Sequence, residues 1–181
     1  MSPRLPEFVD PWRSADLQKC FSGQLALSVF PRLGLSLTRS KGMVDYSIEF
    51  KRVTRRRIAI SGMLVSQLNI ECQRCMGSME YPLDVSFELI VTAGPEEAKL
   101  LPDDVDSLVV LEEEGVNPLE ILEDELILAL PLVAMHALEE CEVEPEVIAV
   151  GDEIVVEAKD SEEESPFAVL AQLKSNLKQP N

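Results

Sequence analysis

Hydrophobic and polar residues alternate in three segments of the chain, residues 43–50, 57–70 and 80–91. A period of two places the apolar side chains on one face, which is typical of half-buried strands. Short connections separate the segments and favour consecutive antiparallel pairing. Gly62 lies inside the second segment and indicates a bulge or a bend there. A short fourth strand is predicted over residues 107–111, after an acidic, proline-bearing loop.

A helix is predicted over residues 117–130, where the hydrophobic spacing becomes helical. Asn117 can cap it, Pro118 suits its first position, and Glu120 completes a variant of the capping box. Acidic residues in its early turns suit the positive end of the helix dipole. Pro131 ends the helix. The predicted apolar stripe, which packs on the sheet, comprises Leu119, Ile121, Leu122, Leu126, Leu128, Ala129 and Leu130.

These elements predict an α+β protein, in which an antiparallel β-sheet is covered by a core helix. Residues 1–40 are expected to form an extended N-terminal arm and lead-in, and residues 41–150 the core domain. Residues 151–164 are an acidic linker, and residues 165–181 an amphipathic helix. This last helix docks either on the chain's own core or on a partner. Its candidate partner-binding residues are Phe167, Leu170 and Leu173.

The charge of the chain is strongly negative, with 33 acidic and 16 basic residues and a formal net charge of −17. Such a surface disfavours sequence-independent nucleic-acid binding and favours a basic partner. Basic residues nevertheless crowd between the first two predicted strands. This cluster is either a solubilising loop that pairs with nearby acids or an RNA contact, because arginine binds phosphate through two hydrogen bonds. The candidate RNA-binding residues are Arg52, Arg55, Arg56 and Arg57.

The chain has no apolar run long enough to span a bilayer and no recognisable signal peptide, which predicts a soluble cytoplasmic protein. Thiols stay reduced in that compartment, so paired cysteines indicate metal or redox use.

Two separated fragments carry the candidate chemistry. ECQRC holds Cys72 and Cys75 at the end of one predicted strand, and MHALEEC holds His136 and Cys141 after the core helix. Two thiolates in a hairpin turn are half of a zinc knuckle, and the second fragment can supply the other two tetrahedral positions. The residues therefore favour a structural Zn²⁺ site with three cysteines and one histidine.

Three other interpretations of these fragments stay open. In the first, the cysteines are buried reduced thiols beside an unrelated histidine. In the second, they form a redox dithiol, although such a motif normally precedes a helix and here a strand follows. In the third, they hold a catalytic zinc, although that needs an open position, which four protein ligands would close. Cys20 stands apart and is expected to be an ordinary small apolar residue.

Several fragments together resemble the YceD family of large ribosomal RNA subunit accumulation proteins. They are LPEFVDPWR, ECQRC, EDELILALPLV, HALEECEV and PFAVLAQLK, which span nearly the whole chain in the family's order. Many members carry a second cysteine pair after the helix. Here His136 takes the first position of that pair and Cys141 the second, a conservative exchange for a zinc ligand.

The resemblance implies a non-enzymatic factor in large ribosomal subunit biogenesis, needed for the synthesis, processing or accumulation of 23S rRNA. The implied partner is the pre-ribosomal large subunit, through either a basic ribosomal protein or 23S rRNA, with no membrane and no small-molecule substrate. The alternative is an acidic chaperone or adaptor for a basic ribosomal protein or an assembly enzyme, with no direct RNA contact.

Overall fold

Five strands form one sheet in the part of the chain that a computed structural model describes, residues 5–55, 57–111 and 115–141. Neighbouring strands follow chain order, and β1 to β4 pair antiparallel. The three strands predicted from alternation are confirmed, and so is the α+β class. The strands are β1 Cys20–Ala26, β2 Met43–Arg52, β3 Ile58–Glu71, β4 Ser78–Thr92 and β5 Ser107–Val109.

Four α-helices accompany this sheet among the described residues, and only the last is longer than two turns. They are α1 Pro11–Asp16, α2 Pro31–Gly34, α3 Pro95–Ala98 and α4 Pro118–Leu128. Two 3₁₀ turns cover Leu27–Val29 and Leu138–Glu140. None of the described helices combines the length and the apolar composition that a membrane crossing requires.

The edge strand β5 pairs parallel with β4, so the sheet is not antiparallel throughout. A parallel neighbour needs a connection of about a dozen residues or more. Residues 93–106, which carry α3, supply one. The predicted strand at 107–111 is therefore present but shorter, and the length of this connection permits its parallel direction.

Gly62 lies in an uninterrupted ladder, so of the two predicted irregularities the bulge is wrong. It pairs with Ile48 on β2 and with Phe87 on β4, and the register runs through it on both sides. A Cβ at Gly62 would lie 2.5 Å from the Phe87 ring and 2.6 Å from the Ser47 carbonyl oxygen. Glycine is present because an aromatic ring from the next strand occupies the space of a side chain.

One face of the sheet forms the core, and the other remains polar. Buried residues alternate along β2 and β3 and meet apolar residues from α2 and α4. The opposite face exposes acidic and small polar side chains around Met63 and Val65. Side chains that are fully or almost fully buried in the core include Val44, Ile48, Phe50, Ile58, Ile60, Leu64, Leu68, Leu122 and Leu126.

Helix α4 begins as predicted. The Asn117 side chain accepts a hydrogen bond from the Leu119 N–H at 3.0 Å and donates one to Glu120 at 3.2 Å. The apolar stripe is largely confirmed, with Ile121, Leu122 and Leu126 buried. Leu128 is the exception: it is 77% exposed, because it lies on the outer side of the last turn.

Glu123 is buried on α4 although it carries a charge, being 4% exposed. Its Oε1 accepts hydrogen bonds from the backbone N–H groups of Arg32 and Leu33 at 2.7 and 3.1 Å. Its Oε2 accepts one from the Arg32 side chain at 3.0 Å. The carboxylate thus fastens α2 to α4, since buried polar groups need such partners.

The predicted lead-in at residues 1–40 contributes to the sheet and the core through β1 and α2. Val9 forms a bridge with Val116, which ties the extended start to the residue before α4's cap. The predicted linker at 151–164 and the helix at 165–181, with Phe167, Leu170 and Leu173, lie outside the described residues. So does Arg56.

Candidate metal centre

Four soft or nitrogen donors meet beside the β3–β4 hairpin. The ligand atoms of Cys72, Cys75, His136 and Cys141 all lie within 4.8 Å of one another. The Cys75 sulfur is 3.3 Å from Nδ1 of His136. Donors about 2.0–2.3 Å from one ion have to lie within about 4 Å of each other. The cluster therefore needs only small adjustments to surround a tetrahedral ion.

A tight turn after β3 presents the first two thiols. The Cys72 N–H donates to the Gly77 carbonyl at 2.9 Å, and the Met76 N–H donates to the Cys72 carbonyl at 2.8 Å. Met76 adopts a left-handed conformation with a φ of 59°, which closes the turn. Strand β4 then starts at Ser78, so the two sulfurs project from the hairpin tip rather than from a helix N-terminus.

The segment after α4 brings the other two donors to this turn. The Gln73 N–H donates to the Ala134 carbonyl at 2.8 Å, and the Gln73 side chain donates to the Leu132 carbonyl at 3.2 Å. The His136 N–H lies 3.4 Å from the Cys72 sulfur. The pairing of the two fragments therefore rests on backbone contacts as well as on the four donors.

Arg74 lies between the two cysteines and holds the second fragment in place. Its Nε donates to the Cys141 sulfur at 3.0 Å, and its Nη2 donates to the carbonyls of His136 and Ala137 at 3.0 and 3.3 Å. Three thiolates around a divalent cation leave one net negative charge. A guanidinium beside Cys141 offsets that charge and orients the sulfur.

The pKa values of the two thiols Cys72 and Cys75 and of the His136 imidazole are shifted in different directions. Burial alone raises the pKa of Cys72, but N–H groups of Cys75, His136 and Arg74 stabilise its thiolate and lower the pKa from 9.0 to about 5. The hydrogen bond to Cys72, followed by that to Cys141, raises the pKa of His136. The Gly77 N–H lowers the pKa of Cys75, but burial and the neighbouring sulfurs raise it overall.

The lowered pKa of Cys72 fits a metal site, because the thiolate is the form of cysteine that binds zinc. Cys75 and His136, whose pKa values are raised, have to lose their protons when a cation binds, so binding releases protons. The donor set, the spacing and the offsetting guanidinium suit Zn²⁺ with four protein ligands.

Cys20 lies apart from the cluster, as predicted, but it is exposed at the start of β1 rather than packed as a small apolar residue. Its side chain lies on the polar face of the sheet, beside Glu49 across the ladder. It contributes no donor to the cluster.

The basic residues around the β2–β3 hairpin are partly neutralised within the chain. Arg52 pairs with Asp16 of α1, and its Nε donates to that carboxylate at 2.6 Å. Arg57 lies 4.0 Å from Glu97. Lys51 pairs with Glu49. Arg55 forms no ion pair with a described residue, so the structure leaves it available to an external anion.

Two residues with clear roles escaped prediction. The position of Arg74 inside Cys-x-x-Cys could have indicated its role, because a cation there can donate a hydrogen bond to a thiolate ligand. Glu123 carries a weaker sequence signal, an acid adjacent to the apolar stripe of α4. Its partner Arg32 is 91 positions away in sequence, so no local pattern connects the two.

The fold and the cluster define the class: an α+β protein in which a β-hairpin and the segment after a core helix meet in a Cys₃His group. A family model described as "Large ribosomal RNA subunit accumulation protein YceD" matches residues 60–174. The "Large ribosomal RNA subunit accumulation protein YceD" of Haemophilus influenzae (strain ATCC 51907 / DSM 11121 / KW20 / Rd) is 30% identical over 171 residues, which cover 94% of this chain and 97% of that protein. The chain belongs to the YceD family. No solved structure gives a significant match.

Proposed function

We propose that the chain is a non-enzymatic factor in large ribosomal subunit biogenesis and that it is needed for accumulation of 23S rRNA. The observation that carries this proposal is the similarity to a large ribosomal RNA subunit accumulation protein over 94% of the chain. That description favours a role at the level of the RNA over the alternative of an adaptor without RNA contact. The proposed place of action is the cytoplasm, where thiols stay reduced and free to bind metal.

The test is genetic complementation in a bacterium that lacks its own copy of the family. Expression of this chain should restore the ratio of 23S to 16S rRNA, measured on total RNA. Two results contradict the proposal. In one, the well-expressed wild-type chain does not restore the rRNA ratio; in the other, a variant that has lost its fold restores it. The small-subunit RNA serves as the internal control.

The proposed role of the Cys₃His cluster is to hold a structural Zn²⁺. The donor geometry supports it, because four protein ligands leave no position for a substrate. Purified protein never exposed to chelator should contain about one zinc per chain by elemental analysis. Cys72→Ser should remove the zinc and lower the melting temperature, whereas Cys20→Ser, which alters an exposed cysteine outside the cluster, should change neither.

We further propose that the basic hairpin contacts RNA. Arg55 forms no ion pair within the described ranges, and Arg52 and Arg57 are cations that can exchange an internal carboxylate for phosphate. Charge reversal of all three should abolish association with pre-ribosomal particles on sucrose gradients. Lys41→Glu, an exposed change elsewhere, is the matched control. Retained association in the triple variant contradicts the RNA contact while leaving the biogenesis role intact.

A further inference from the structure

A pocket of about 470 Å³ lies beside α1, and no function has been assigned to it above. Buried Val9 and Phe21 line it, and Phe8 and Leu17 contribute its exposed apolar surface. Phe8 is 64% exposed and Leu17 is 60% exposed, so both side chains are accessible from solvent at the pocket. The volume falls within the range of about 300–1,000 Å³ that small-ligand sites occupy.

Two cations also line this pocket, and both are available. Arg13 and Lys19 form no ion pair with a described residue. The lining also holds one carboxylate, Asp10, which accepts the Arg13 N–H at 3.0 Å as the N-cap of α1. The pocket therefore combines an exposed aromatic ring with two positive charges that have no ion-pair partner in the described part of the chain, whose net charge is −17 over its full length.

Contacts of Lys19 and of helix α1 link the pocket to the basic hairpin. The Lys19 carbonyl accepts the Phe50 N–H at 3.0 Å, which places Lys19 beside the end of β2. Asp16, at the end of α1, pairs with Arg52 in the hairpin. One short helix thus separates the pocket from Arg52 and Arg55, and the sequence spreads these cations over more than forty positions.

We propose that this pocket binds an unpaired nucleotide of single-stranded RNA, a site that deepens the RNA contact proposed above and rests on it. The base stacks on the Phe8 ring, and Arg13 and Lys19 bind the flanking phosphates, which then lead to Arg55. Stacking on an exposed aromatic ring requires an unstacked base, so a duplex cannot use the site. Arg13 and Lys19 place positive charge at the pocket of a protein whose net charge of −17 repels RNA.

The test measures binding of a fluorescent single-stranded RNA to the full chain by anisotropy, with the matching duplex as competitor. Phe8→Ala should weaken binding about tenfold, the lower half of the range that loss of base stacking causes. Phe8→Trp should retain binding and Phe8→Leu should not, because leucine keeps the apolar contact and removes the π face. Lys19→Glu should weaken binding at least as much as Phe8→Ala.

Matched controls are Leu35→Ala, which truncates an exposed apolar residue that does not line the pocket, and Lys41→Glu. Circular dichroism and melting temperature verify that each variant is folded. Equal binding by Phe8→Leu and wild type, or equal affinity for duplex, overturns the nucleotide pocket. If the wild type binds RNA and only the Arg52, Arg55 and Arg57 triple variant loses it, the pocket proposal fails alone. If the wild type binds no RNA, the proposed RNA contact fails with it.

Discussion

Arg74 does more at the candidate metal centre than its position in sequence indicates. It stands between two cysteines, yet its side chain contacts the other fragment, at the Cys141 sulfur and at two carbonyls. A metal ligand held by an outer hydrogen bond keeps its orientation before the ion arrives. Arg74 is therefore a positioning residue for the cluster, and its removal leaves all four donors in the chain.

We expect Arg74→Gln to weaken zinc retention by about 10- to 100-fold, the usual effect of losing an outer-shell partner. Competition with a chromophoric chelator measures the affinity. Arg39→Gln, at an exposed arginine outside the cluster, is the control. Wild-type affinity in Arg74→Gln would mean that the guanidinium only fills space beside Cys141.

Gly62 gives a second prediction for a single residue. We expect Gly62→Ala to destabilise the fold by about 1–3 kcal/mol, because the added methyl group overlaps the Phe87 ring and a backbone oxygen. Urea unfolding measures the change. Adding Phe87→Leu should recover only part of the loss, since the Ser47 carbonyl cannot move aside. Full recovery would locate the whole clash at the ring.

These residues mark the limit of prediction from sequence. The four donors could be predicted because cysteine and histidine are rare in this chain and their spacing reflects ligand geometry. Gly62 could be noticed but not explained, since its reason is a ring on the neighbouring strand. The roles of Arg74 and Glu123 depend on partners brought close only by folding.

A single carboxylate, that of Glu123, connects α2 to α4. Helix α2 has only four residues and little stability of its own. Glu123 satisfies two of its first backbone N–H groups, as a cap would, but from another helix. The N-terminal third of the chain is thereby locked onto the core helix, and Leu33 is buried beside it.

We expect Glu123→Ala to destabilise the protein by about 3 kcal/mol, because it leaves buried N–H groups without an acceptor. Asp124→Ala removes the neighbouring, exposed partner of Arg32 and should cost less than about 1 kcal/mol. Denaturant unfolding compares the two. Equal costs would show that the exposed ion pair, rather than the buried acceptor, holds α2.

At the level of elements, alternation and capping predicted β2, β3, β4 and α4 well, because each buries one continuous face. Elements that depend on tertiary contacts were less predictable. Strand β1 lies in a segment rich in small and polar residues, and α2 is too short for a period. The parallel direction of β5 follows from the route of residues 93–106, which local patterns do not encode.

At the scale of the whole molecule, two features matter: where the charges lie and which segments the candidate metal site joins. The acidic sheet face and the cationic surface around α1 lie on the same small domain, while the cluster joins the β3–β4 hairpin to the end of α4. A zinc bound at that point would stabilise a core that is poor in aromatic residues. Removal of the ion should therefore lower the stability of the fold.

We expect the stabilisation by zinc to disappear on acidification. Protons compete with the metal for all four ligands, so affinity falls with pH. Cys72 holds its thiolate longest. In the protein without the ion, its lowered pKa by itself contributes stability that is present above the ordinary value of 9.0 and lost as pH falls through about 5. The melting temperature of zinc-loaded protein should exceed that of chelator-treated protein at neutral pH, and the gap should narrow as pH falls, because protons displace the ion from its ligands. Cys72→Ser should show no gap at any pH. A gap that persists unchanged into acid would mean that the ion is held by carboxylates elsewhere rather than by this cluster.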